Sequence, residues 1–70
     1  MRLSNASIER IMAAHEFTQG AVAGAMGIRQ PVLCRLLARI RSGHEVRPAS
    51  AGKLARALGV KISEIEGGQS

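Results

Sequence analysis

The sequence predicts an all-α fold, a single small domain of five helices, and three observations predict it. Apolar residues recur at the three- and four-residue spacing of helices that bury one side. Capping residues and glycines, among them Ser4, Asn5, Thr18, Gly27 and Gly59, stand at the ends of those periodic segments. No segment reads as a strand. The helices are expected at about residues 5–15, 19–26, 30–42, 49–58 and 63–66, within one domain over 1–66, with a frayed tail at 67–70.

Met1 to Leu3 reads as a short arm whose Arg2 reaches a phosphate. Ser4 or Asn5 can cap the first helix, which carries Ile8, Ile11 and Met12 on one face, and Phe17 fills the space between the first three helices. His15 is expected to meet free carbonyls at the helix end. Thr18 can cap the second helix, built of small residues around Val22 and Met26, and Gly27 is placed to leave it through a left-handed residue.

Residues of the third helix, spaced ~100° apart around its axis, divide cleanly. Val32, Leu33, Leu36, Leu37 and Ile40 share one arc. Gln30, Cys34, Arg35, Ala38, Arg39 and Arg41 share the other, with small residues (Pro31, Cys34, Ala38) along its middle and arginines on its flanks. Pro31 falls in the first turn, where no amide donor is needed. Beyond Gly43 the connector has Val46 as its apolar anchor. A fourth helix turns Leu54, Ala55 and Leu58 inward, and Val60, Ile62 and Ile65 form a last apolar unit.

The net charge is +5, and from Arg29 to Lys61 the only acidic residue is Glu45. Such a balance favours a polyanionic partner. A lone Cys34 cannot form an internal disulfide, and no Cys/His cluster has metal-ligand spacing, so neither metal nor cofactor is expected. No nucleophile–base constellation suggests an enzyme. No apolar run approaches the ~18 residues of a membrane span, and a reducing cytoplasm fits best. A core this small supplies roughly 3–5 kcal/mol, so self-association is the expected remedy.

The stretch FTQGAVAGAMGIRQPVLCRLL, followed by RPASAGKLARALGVKISEI, resembles the lambda-repressor-like family of helix-turn-helix proteins, which includes the phage Cro and CI repressors. The resemblance covers about Ile8 to Ile65. It implies a five-helix domain, a homodimer, a third helix in the major groove of double-stranded operator DNA, and a role in transcriptional control.

Carried over by position, the resemblance makes Gln30 an adenine reader, to which its carboxamide is suited, and Arg35 a guanine reader through its planar fork. Pro31 and Val32 face the groove, where either can touch a thymine methyl. Gln19 contacts a phosphate and buttresses Gln30. Thr18, Arg29, Arg39 and Arg41 are the remaining backbone candidates, and Val60, Ile62 and Ile65 the dimer surface. The chain departs from the family in having Arg29 where a serine or threonine cap is usual. It also has Pro31 at a base-facing position and a third helix about one turn longer. The expected function is a dimeric repressor or autoregulator of a phage or mobile element, with no small-molecule effector. The alternative is a protein-interaction module, an antiactivator or antitoxin that keeps the fold for a protein partner.

Overall fold

Two hydroxyls start the first two helices. Ser4 Oγ accepts from the Ser7 amide at 3.1 Å, and Thr18 Oγ1 accepts from the Ala21 amide at 3.1 Å. Each bond satisfies one of the amides that a helix start leaves without an internal acceptor. The computed structural model describes residues 1–67. In order, the helices are α1 (Asn5–Ala14), α2 (Gln19–Met26), α3 (Gln30–Arg41), α4 (Pro48–Leu58) and α5 (Ile62–Ile65). All five fall within a residue or so of their expected limits, and the described residues form no strand beyond one isolated bridge.

The turn between α2 and α3 has a simple physical basis. Gly27 adopts φ 72°, its amide closes onto Gly24 O at 3.1 Å, and the Ile28 amide reaches Ala23 O at 3.0 Å. A Cβ would be costly at that backbone angle, whereas glycine carries none. The same closure ends α4, where Gly59 has φ 75° and the Val60 amide bonds to Ala55 O at 3.0 Å. Arg29 provides no side-chain cap for α3, as its identity suggests, and Pro31 occupies the first turn.

The core joins Ile8 of α1, Val22 and Ala23 of α2, and Leu33, Leu37 and Ile40 of α3. Ala51, Leu54, Ala55 and Leu58 of α4 complete it, with Leu3, Val46 and Ile65. Small residues in α2 let it lie against both α3 and α4, its principal neighbours. Burial of the large members contributes about 1.5–3 kcal/mol each, set against the entropy of ordering the chain.

Four expectations are corrected. Residues 1–3 are not a free arm: Leu3 is buried, pairs with Glu66 in an antiparallel bridge, and the Met1 and Val46 backbones bond to each other in both directions, at 2.9 and 2.7 Å. Gly67 is not part of a frayed tail, because its amide donates to Arg2 O at 3.0 Å, while residues 68–70 of that expected tail lie outside the described residues. A Cβ on Gly67 would meet the Ser4 amide nitrogen at 2.8 Å, so this clasp needs glycine. Val32 belongs to the exposed side of α3 (46% exposed), with Leu36 half-buried at the boundary. His15 packs its ring on Phe17, with centroids 5.4 Å apart, instead of reaching carbonyls.

Candidate nucleic-acid interface

The inward face of α3 is fixed by Leu33, Leu37 and Ile40, all buried. Because that seat is fixed, the helix has no freedom to rotate, and the opposite arc must face outward. Gln30, Pro31, Val32, Cys34, Arg35, Ala38, Arg39 and Arg41 are all exposed, as are Thr18 and Arg29, and Gln19 is half-buried. All four base-reading candidates and all five backbone candidates thus have accessible surface, Gln19 only in part. The helix is about 18 Å long at 1.5 Å per residue. Its middle is lined by Pro31 and Ala38, small enough for close approach to a flat or grooved partner.

The exposed arc has two edges with different furnishings. Gln30, Cys34 and Arg41 lie within about 40° of one another around the helix axis, on the side facing α1 and the start of α2. Cys34 Sγ donates to Gln19 Oε1 at 2.9 Å. The Gln30 carboxamide oxygen lies over the first turn of α2, 3.7 Å from where a Cβ on Gly20 would be. A Cβ at position 20 would thus stand in ordinary van der Waals contact with Gln30. Gln19 supports this edge, but its hydrogen bond is to Cys34, not to Gln30 as the family resemblance implied. Arg41 Nη2 sits 3.9 Å from Glu9 Oε2, the one ion pair among the described residues.

Val32 and Arg39 mark the other edge, toward α4. Here a cleft of about 310 Å³ is lined by Leu36, Arg39, Glu45, Val46, Arg47 and Ser50. Arg47 was not singled out from the sequence. It reads there as a connector residue, and only the fold brings it beside Arg39. Ser50, in the first turn of α4, borders the same cleft, and Arg47 gives that helix no side-chain cap.

The expected dimer surface is divided by the fold. Ile65 is fully buried in the core of its own chain, with Leu3 and Glu66 paired alongside, so it cannot serve as a contact surface. Ile62 and Val60 are half-buried and pack against the core edge, with Ile62 Cδ1 3.8 Å from the Cβ position of Gly52. The terminal unit was expected to form the dimer surface; instead the core absorbs Ile65. No helix among the described residues is long and apolar enough to cross a membrane. Comparisons with family models, with curated proteins and with solved structures returned no match.

Proposed function

We propose that the chain is a lambda-repressor-like, sequence-specific DNA-binding regulator of transcription that lays α3 in the major groove of double-stranded DNA. The observation that carries this reading is one continuous exposed arc. It is small in the middle, has Gln30 and Arg35 at positions suited to bidentate base contacts, and is flanked by Arg29, Arg39 and Arg41. A helix ~10–12 Å across fits a groove ~12 Å wide. Gln30 presents a donor and an acceptor to adenine N7 and N6, Arg35 two donors to guanine O6 and N7, and Val32 or Pro31 a methyl contact to thymine. The flanking arginines, with Thr18 and Gln19, fix register on phosphates and carry the salt dependence.

On this reading the protein acts as a homodimer on a roughly palindromic operator, with recognition helices about 34 Å apart, as a repressor or autoregulator of a phage or mobile element. With Ile65 committed to the core, Val60 and Ile62 remain as the candidate contact. Sedimentation of Ile62→Glu at micromolar concentration tests this, a wild-type dimer becoming monomeric if the surface is right. The DNA reading itself is tested by selecting bound duplexes from a random library and by measuring affinity for the DNA upstream of the gene. Enrichment of a palindromic site is expected. The absence of any enriched site or specific shift in moderate salt would overturn the reading and favour a protein partner.

A further inference from the structure

We propose that Glu9 is an internal competitor for Arg41 and thereby sets the DNA affinity of the α1-facing edge of α3. The inference rests on the DNA-binding reading above and concerns how that same face is tuned. Three observations carry it. First, Arg41 lies on the same stripe of α3 as Gln30 and Cys34, yet it is the arginine that already has an anion beside it, Glu9 Oε2 at 3.9 Å. Second, that oxygen is held in place: Asn5 Nδ2, one turn earlier on α1, donates to it at 3.2 Å. Third, Asn5, Glu9, Gln19 and Arg41 border a single cleft of about 170 Å³ whose floor is Ile8, Met12 and Leu37. The pair therefore shares a cleft with Gln19, a backbone-contact candidate on α2.

The chemistry is a competition between two oxyanions for one guanidinium. Glu9 and Arg41 are both well exposed, with side chains 61% and 65% accessible, so their attraction is screened and the pair exchanges readily. A phosphate of the DNA backbone must draw Arg41 away from Glu9 while the Glu9 carboxylate, anchored by Asn5, stays nearby as a like charge. Both effects reduce what Arg41 adds to binding. Neither depends on base sequence, so Glu9 governs overall affinity and the salt response while discrimination is left to Gln30 and Arg35. Arg39, on the other edge, has no ionic partner among the described residues.

The test compares wild type, Glu9→Gln, Arg41→Ala and the double variant by fluorescence anisotropy. The probes are a labelled 30-base-pair duplex carrying the site enriched by the wild type and a scrambled duplex of the same composition, across a range of salt. Glu9→Gln keeps an oxygen for Asn5 and removes the charge. It is expected to tighten binding to both duplexes by about twofold to fivefold, the span of a solvent-exposed ion pair, and to steepen the salt slope by up to about 0.9. In the Arg41→Ala background the same substitution is expected to give a markedly smaller gain, limited to relief of the like-charge repulsion. An unchanged Glu9→Gln, or an equal gain without Arg41, would overturn the proposal, the latter making Glu9 a plain repulsive charge. Asn5→Ala, which releases the carboxylate without removing it, should give a smaller gain of the same sign, and a loss of affinity would count against the competition. Wild type that binds neither duplex sinks the DNA-binding reading as well, whereas wild type that binds while the variants behave alike sinks only the role of Glu9.

Discussion

The two edges of α3 carry the same kind of charge in different circumstances. On the α1 side Arg41 faces Glu9, and Cys34 holds Gln19. On the α4 side Arg39 and Arg47 border one open cleft, with Glu45 at its margin but not in ion-pair contact. Counting arginines treats these edges as equal. The difference teaches that an arginine's contribution to binding an anion depends on what already neutralises it, which no composition records. It also divides the surface into a side built of mutual support and a side left available.

Both edges depend on the seat beneath them, so the largest expected effect lies there. Leu33→Ala removes a fully buried side chain and should cost about 2–5 kcal/mol, comparable to the whole stability of a domain this size. Thermal unfolding should show a greatly lowered midpoint and loss of both edges together, and a near-normal melt would refute the packing described. Arg35→Ala, on the midline between the edges, should weaken binding to the selected site by about 10- to 100-fold and relax discrimination at one base pair, with binding to scrambled duplex barely altered. If both duplexes lose equally, Arg35 is a backbone contact and the midline assignment fails.

Gly27→Ala tests the turn that sets α2 against α3. A Cβ at φ 72° should cost about 1–2 kcal/mol, read from denaturant midpoints, and should loosen the α2-supported edge before the α4-facing one. The sharpest comparison is the smallest in energy. Arg39→Ala should weaken binding to all sequences about equally and flatten the salt slope by about 1, and Arg41→Ala should do visibly less. Equal losses from the two substitutions would erase the asymmetry between the edges.

Much of this was legible in the chain. The inward positions Leu33, Leu37 and Ile40 follow from helical spacing, as do the exposed Gln30, Arg35 and Arg39. The Thr18 cap and the left-handed Gly27 are local chemistry, set by the residue and its immediate neighbours. Val32 was misassigned because periodicity gives an arc but not where its boundary falls. That boundary depends on what covers the edge, and the fold leaves Leu36 half-buried and Val32 in the open.

By itself, then, the sequence determined the helices, their ends, and which side of α3 turns inward, because those rest on contacts within a turn or two of chain. Only the tertiary structure decided that Ile65 fills the core, that Leu3 pairs with Glu66, that Cys34 bonds to Gln19, and that Glu9 lies beside Arg41. Each of these joins residues distant along the chain. Their proximity follows from how α1, α2, α3 and α5 pack, so no local pattern of residue types encodes it.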